Sequence, residues 1–93
     1  MLKVNEYFEG QVKSIAFHNE EGDATLGVME PGTYEFNTTA IEYMTIISGA
    51  VSVLLPHFAE YQLFHKGDIF TVPANSTFKI EVLEVTAYLC IYR

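Results

Sequence analysis

Residues that favour turns recur at short intervals along this chain, and the segments between them are rich in β-branched and aromatic residues. The predicted turns are Glu21-Gly22, Pro31-Gly32, Ser48-Gly49, Pro56, Lys66-Gly67 and Pro73-Ala74-Asn75. Short strands separated in this way are typical of an antiparallel sandwich or barrel. No 3.6-residue apolar repeat persists long enough to predict a major helix. We therefore expect residues 1–93 to form one all-β domain.

The charge, the apolar runs and the cysteine content of the chain predict its partners and its cellular location. The chain has 5 Lys+Arg against 12 Asp+Glu, a net charge of −7, so we expect it to bind neither nucleic acid nor an anionic membrane. Its first ten residues carry no long apolar run, and no stretch is apolar enough to span a bilayer. The one cysteine, Cys90, cannot form an internal disulfide and is predicted to be a buried apolar residue. These features predict a cytoplasmic, soluble protein.

Two spacings resemble the paired motifs of the cupin family. In the first, Glu42 is followed by six residues and then Gly49, within the segment EYMTIISG. In the second, Gly67 is followed by five residues and then Pro73, within GDIFTVP. The resemblance implies a single cupin-type, jelly-roll-like antiparallel β-barrel whose inward side chains surround a cavity.

The histidines that complete these cupin motifs are replaced. Phe36 and Thr38 stand six and four residues before the glutamate, and Phe78 stands five residues after the proline. A first-row metal requires three or four converging N, O or S donors, so one remaining carboxylate is a poor site. None of the three histidines of the chain falls at a motif position. The sequence therefore predicts a cupin with no metal site.

Four segments resemble one particular group of cupin-like proteins, the pyrimidine/purine nucleoside phosphorylases. They are NEYFEGQVKSI, EYMTIISGAVSVLLP, GDIFTVPANSTF and YLCIYR, and the similarity runs from Asn5 to Arg93. The resemblance implies a pentosyltransferase that uses inorganic phosphate to split purine and pyrimidine nucleosides into free base and pentose 1-phosphate. It also implies a homodimer that requires no metal or other cofactor.

Glu42 is the residue that we predict to bind the sugar. Phosphorolysis passes through an oxocarbenium-like transition state, so a carboxylate could accept hydrogen bonds from the ribose hydroxyls and stabilise the positive ring. Strand parity places Glu42 on the face of Met44 and Ile46, among apolar residues. The alternative is a structural carboxylate paired with backbone N–H groups or a lysine.

The remaining substrate contacts are assigned by side-chain chemistry. Aromatic rings accept any base by stacking, and hydroxyls can donate to phosphate or sugar, although such residues also serve only to fill a small barrel or to form turns. The predicted substrate-binding residues are Tyr34, Phe36, Thr38, Ser76, Thr77 and Phe78. For phosphate we predict Lys13 and Arg93, the latter through its bidentate guanidinium.

Two other functions remain open at this stage. One is a non-catalytic cupin that binds a sugar or nucleoside without turning it over. The other is a metal-dependent cupin enzyme that uses Glu42 with donors outside the motif. Phosphate dependence of nucleoside cleavage separates the first from a phosphorylase, and activity in the presence of a chelator decides the second.

Overall fold

The structure, a computed structural model, describes all 93 residues, Met1–Arg93. It contains ten strands and no helix, so no helix of it is long and apolar enough to cross a membrane. The strands are β1 (Lys3–Tyr7), β2 (Val12–Asn19), β3 (Gly22–Met29), β4 (Gly32–Asn37), β5 (Glu42–Ser48), β6 (Ala50–Leu54), β7 (Gln62–His65), β8 (Ile69–Val72), β9 (Thr77–Val82) and β10 (Thr86–Tyr92).

The strands form two antiparallel sheets that pack face to face. The six-stranded sheet has the order β1-β2-β3-β10-β5-β8, and the four-stranded sheet has the order β4-β9-β6-β7. The predicted all-β cupin fold is confirmed. The sheets do not close into one hydrogen-bonded barrel, because the ladders stop at edge strands β1 and β8 of one sheet and β4 and β7 of the other.

Residues on the inner faces of the two sheets form the core. Alternation is clearest in β9, where Phe78, Ile80 and Val82 are buried while Thr77, Lys79 and Glu81 are exposed. A cluster of 14 buried side chains joins the sheets. Its members are Val12, Met29, Tyr34, Met44, Ile46, Val51, Val53, Phe70, Val72, Phe78, Ile80, Val82, Tyr88 and Cys90. Cys90 is thus buried and free, as its sequence context predicts.

Gly49 lies where the chain leaves the six-stranded sheet at the end of β5 and enters the four-stranded sheet as β6. Its φ is +108°, a backbone conformation that residues other than glycine rarely adopt. A Cβ at this position would lie 2.4 Å from Thr86 Oγ1 and 2.8 Å from the Val85 carbonyl oxygen. The glycine of the first cupin motif is therefore required by both backbone conformation and close packing.

We predict that Gly49→Ala destabilises the protein by about 2–4 kcal/mol, because it adds backbone strain to an overlap with rigid backbone atoms. Gly67→Ala is a matched control, since Gly67 has a φ of +89° but no atom within 4 Å of the added Cβ. It should cost only about 1 kcal/mol. Urea denaturation of both variants measures the difference, and equal losses would contradict the steric argument.

Candidate active site

A cavity of about 270 Å³ lies between the two sheets. Its lining is largely apolar and aromatic, with one carboxylate, and comes from both sheets and from the β4–β5 connection. The lining residues are Tyr7, Ser14, Met29, Phe36, Asn37, Thr39, Glu42, Met44, Phe78, Ile80, Tyr88, Cys90 and Tyr92. Its volume is close to the lower end of the roughly 300–1,000 Å³ range of small-molecule sites.

Glu42 enters the cavity from the first residue of β5, where it pairs with Tyr92 of β10 and Val72 of β8. Its side chain is half-buried, and its Oε1 accepts a weak hydrogen bond from the Cys90 thiol at 3.7 Å. Burial raises the pKa of the Glu42 carboxyl above its usual value, and the contact with Cys90 acts in the opposite direction. No lysine, arginine or histidine lines the cavity, so no cation there offsets the desolvation of this carboxylate.

Three further ionisable groups of the cavity, Cys90, Tyr88 and Tyr92, stay protonated at neutral pH. Burial, and then the nearby Glu42 carboxylate, raise the pKa of the Cys90 thiol to about 12. Burial is also the main reason that the pKa of Tyr88 rises to about 12 and that of Tyr92 rises further. The thiol and both phenols are therefore neutral groups that can donate hydrogen bonds.

Tyr88 has room in the sheet because the residue opposite it on β3 is Gly27. A Cβ at Gly27 would lie 2.6 Å from the phenol ring and hydroxyl of Tyr88. Tyr92 is held by its neighbour in a different way, since its hydroxyl shares a hydrogen bond of 3.0 Å with Thr25 Oγ1. Both phenols are thus held in place by β3 on the wall of the cavity.

Phe36 and Phe78 form an aromatic wall opposite the carboxylate-bearing sheet. They are cross-strand partners in β4 and β9, and their rings stack with centroids 5.6 Å apart and an interplanar angle of 28°. Tyr7 and Phe8 approach Phe36 edge-on, at 6.5 and 5.5 Å. Two of the positions that hold histidines in the cupin motif thus carry phenyl rings that face the same cavity as Glu42.

The other predicted substrate-binding residues lie outside the cavity lining and have protein partners. Tyr34 is buried and donates to the Glu30 carbonyl at 2.7 Å. Thr38 donates to the Pro73 carbonyl at 2.6 Å and accepts from the Ser76 N–H at 3.0 Å, while Ser76 Oγ donates to the Ala74 carbonyl at 3.1 Å. The hydrogen bonds of Thr38 connect the residue after β4 to the turn before β9.

Thr77 is connected to the cavity through a neighbour. Its hydroxyl donates to Asn37 Oδ1 at 2.7 Å, and Asn37 lines the cavity. Because the amide oxygen is engaged, the amide nitrogen of Asn37 is the group that is available to donate a hydrogen bond to a ligand. Thr77 therefore has the position of a residue that orients Asn37.

The two cations predicted to bind phosphate lie on the surface. Lys13 is on the face of the six-stranded sheet that points away from the cavity, and its Nζ lies 3.3 Å from Glu6 Oε1. Arg93 donates to the Glu21 carbonyl, and its backbone N–H donates to the Ile41 carbonyl at 2.8 Å. Neither side chain lines the cavity, and their role in phosphate binding stays a prediction.

The histidines and carboxylates do not converge. No group of three or more His, Cys, Asp or Glu side chains is arranged to hold a metal ion. His18 contacts Asp23 at 2.8 Å on the surface, and His65 lies 3.9 Å from Asp68. The arrangement at the motif positions, with phenyl rings beside a single carboxylate, does not suit a first-row metal.

Two antiparallel sheets enclosing a cavity at the cupin motif positions define a cupin-like protein. Drosophila melanogaster CENP-C has a cupin domain that superposes with a TM-score of 0.75 at 13% identity, over 99% of this chain and 70% of that one. Proteins of unknown function from Vibrio parahaemolyticus and Acinetobacter each superpose with a TM-score of 0.93, at 44% and 41% identity. They cover all of this chain and 99% and 91% of their own chains.

The chain belongs to the pyrimidine/purine nucleoside phosphorylase family, which it matches over residues 2–92. A protein of that name from Pseudomonas fluorescens is 57% identical over 93 residues, covering 100% of this chain and 99% of the relative. Another from Hahella chejuensis is 56% identical over 92 residues, covering 99% of each. The family resemblance read from the sequence is confirmed.

The raised pKa of Glu42 predicts a pH-dependent stability. Because the folded-state pKa lies above the unfolded value, the contribution of the neutral carboxyl is complete below the unfolded pKa and is lost as pH rises through the folded pKa. We therefore expect Glu42→Gln to have a higher Tm than the unmodified protein near about pH 8, with the difference shrinking towards about pH 4.

Thermal unfolding by circular dichroism across this pH range measures the effect. Glu35→Gln is the control, because Glu35 is exposed on β4 and its substitution removes the same formal charge. A Tm difference for Glu42→Gln that does not change with pH, or that matches Glu35→Gln, would mean that the buried carboxylate carries no such cost.

Proposed function

We propose that this chain is a cytoplasmic phosphorylase that converts purine and pyrimidine nucleosides and inorganic phosphate into free base and pentose 1-phosphate. The observation that carries the proposal is one cavity, in a member of this family, that joins a single carboxylate to a pair of stacked rings. In the reaction the bond between C1′ and the base nitrogen breaks, and a bond between C1′ and a phosphate oxygen forms. The base leaves with the electron pair and takes up a proton.

Glu42 is the group that we propose to bind the pentose. An ionised carboxylate accepts hydrogen bonds from two neighbouring sugar hydroxyls and favours the positive charge that develops on the ring. Its position in a half-buried, largely apolar cavity strengthens both interactions relative to water. The same burial makes the carboxylate costly in the free protein, which is the pattern of a preorganised site.

Phe36 and Phe78 are the groups that we propose to hold the base. Their rings line the cavity and stack on one another, so the exposed part of Phe36 offers an aromatic face to a planar ligand. Every base has a π face, whereas hydrogen-bond readout would distinguish purines from pyrimidines. A site that relies on stacking therefore fits broad base specificity.

Phosphate would enter a cavity that is lined by one carboxylate and by no lysine, arginine or histidine. Neutral donors are then the available ligands, and Asn37, Ser14 and Tyr88 supply an amide and two hydroxyls. A phosphate ion that retains a proton can donate it to a carboxylate, so repulsion by Glu42 is smaller for protonated phosphate. Binding by Lys13 or Arg93 would require the anion to sit outside the cavity.

The working unit that we propose is a homodimer. A domain of about this length buries only roughly 60–65% of the surface exposed by its unfolded chain, so a partner subunit adds useful burial. Two observations support this proposal: the family resemblance implies a homodimer, and large apolar side chains are exposed on the six-stranded sheet.

The proposal is tested first by incubating the purified protein with inosine or uridine, with and without phosphate, and measuring free base and pentose 1-phosphate. We expect cleavage of both nucleosides only when phosphate is present, and Glu42→Gln should lower turnover about 100-fold while remaining folded. Activity should persist in the presence of a chelator.

Three results would contradict this account. Binding of nucleoside without any phosphate-dependent product would favour a non-catalytic cupin. Loss of activity on chelation, restored by zinc, manganese or iron, would favour a metal-dependent enzyme. Near-normal turnover in folded Glu42→Gln would remove Glu42 from the site.

The phosphate ligands are distinguished by a set of single substitutions. We expect Asn37→Ala to raise the KM for phosphate roughly tenfold, as for loss of one hydrogen bond to a charged group, with less effect on the KM for nucleoside. Lys13→Ala and Arg93→Ala are measured beside it. A selective rise of the phosphate KM in either of these two, with Asn37→Ala unchanged, would favour the surface cations over the neutral donors.

A further inference from the structure

Aromatic rings make up a large share of the cavity between the two sheets. Five of its thirteen lining residues are aromatic, namely Tyr7, Phe36, Phe78, Tyr88 and Tyr92. The face of an aromatic ring carries partial negative charge and attracts a cation placed over it. The lining adds one carboxylate and no lysine, arginine or histidine. Rings and carboxylate together therefore favour a positively charged ligand over a neutral ligand of the same shape.

The charge of Glu42 acts on other walls of this cavity. Burial is the largest cause of the raised pKa of Cys90, Tyr88 and Tyr92, and the Glu42 carboxylate contributes to the rise in all three. The side chain of Glu42 contacts the Cys90 thiol and forms no ion pair with any lysine, arginine or histidine of the chain. A positively charged ligand would be the counter-ion that this carboxylate lacks.

The charge of the whole chain acts in the same direction. A net charge of −7 attracts cations towards the protein and repels phosphate. A nucleoside that carries a positive charge and binds beside Glu42 would offset the repulsion between that carboxylate and phosphate. Such a substrate would itself bring the cation that the lining of the cavity does not supply.

The apolar lining favours a planar, delocalised cation over a compact one. Charge spread over a conjugated group is more weakly hydrated than an ammonium, so it is less costly to remove from water. A flat ring can also stack on Phe36, which is partly exposed and lies 5.6 Å from Phe78 between ring centroids. A pyridinium base, whose ring nitrogen carries both the pentose and the positive charge, meets both conditions.

We propose that the cavity accepts nucleosides with a pyridinium base and prefers them to nucleosides whose base has no net charge. This inference rests on the phosphorylase function proposed above. In the reaction the bond between C1′ and the ring nitrogen breaks, and its electron pair makes the released pyridine neutral. A phosphate oxygen forms the new bond to C1′. The base takes up no proton, and the proton of hydrogen phosphate remains on the pentose 1-phosphate until it exchanges with water.

A leaving base that requires no proton suits the groups present. Burial is the main cause that raises the pKa of Cys90 and of Tyr88 to about 12 in each case. Groups with such pKa values are poor proton donors at neutral pH. A neutral nucleoside requires a proton on its departing base, whereas a pyridinium nucleoside does not. The second class of substrate therefore makes the smaller demand on this cavity.

The first test compares nicotinamide riboside with nicotinic acid riboside, with and without phosphate, beside uridine. The leaving nitrogen is the same in both pyridinium substrates, but the carboxylate of the second cancels the charge of its ring. We expect phosphate-dependent cleavage of nicotinamide riboside with a kcat/KM at least about tenfold higher than that of nicotinic acid riboside. Equal values, or cleavage of uridine alone, would overturn this inference and leave the proposed phosphorylase function intact.

A second test measures binding without turnover. Isothermal titration calorimetry with 1-methylnicotinamide, a cation, and nicotinamide, its neutral counterpart, should show at least about tenfold tighter binding of the cation. Glu42→Gln should remove most of this preference, whereas Glu35→Gln, on the exposed side of β4, should retain it. Phe36→Leu should weaken binding of the cation about tenfold. Phe58→Leu is its control, since Phe58 is 54% exposed and lies outside the cavity lining.

The two tests separate failure of the inference from failure of the proposed function. If no nucleoside is cleaved with phosphate, the phosphorylase function is wrong, and a preference for 1-methylnicotinamide that Glu42→Gln removes would still support recognition of a cation. Equal binding of the two probes would overturn the inference, as would a preference that Glu42→Gln leaves unchanged. The result for Glu42→Gln decides the outcome if Phe36→Leu fails to fold by circular dichroism.

Discussion

The register of β5 between β10 and β8 determines which side chains reach the candidate active site. Glu42 pairs with Tyr92 and Val72, which turns its carboxylate into the cavity and its neighbour Tyr43 to the opposite face of the sheet. A shift of one residue would exchange the two faces along the whole strand, because side chains alternate with a period of two. The buried side chains of Met44 and Ile46 oppose such a shift, since it would expose them to water. Core packing thereby positions the carboxylate as well as stabilising the fold.

Cupin architecture brings particular positions together whatever residues occupy them. Phe36 and Phe78 stand where the motifs have histidines, and cross-strand pairing still places their rings in contact beside the cavity of Glu42. Phenyl rings cannot coordinate a metal as imidazole does, but they offer a flat apolar surface. The same convergence of strands can therefore support binding of a planar ligand, while the backbone requirement at Gly49 is unchanged.

Much of the fold could be predicted from turns and two-residue alternation, and the limits of that prediction have identifiable causes. The sequence of β1 does not by itself predict a strand, because β1 is a largely exposed edge strand without a clear apolar alternation. Tyr88 and Tyr92 of β10 were not among the predicted site residues. They stand two residues before and two residues after the buried Cys90, so they lie on the same face of the strand as Cys90. That signal was present in the sequence. The orientation of Asn37 by Thr77 was not, since it depends on the pairing of strands 40 residues apart.

The cavity also clarifies how a phosphorylase of this kind could work without a cation near the reacting atoms. A lysine beside Glu42 would attract phosphate, but it would also neutralise the carboxylate and oppose a positive sugar ring. With neutral donors instead, a phosphate bound in this cavity would be repelled by the Glu42 carboxylate in the ground state. As the bond to the base breaks, positive charge would develop on a ring bound between them, and the attraction of both anions to that charge would offset their mutual repulsion. Such a site interacts more favourably with the transition state than with the bound substrates, which is the condition for accelerating the chemical step.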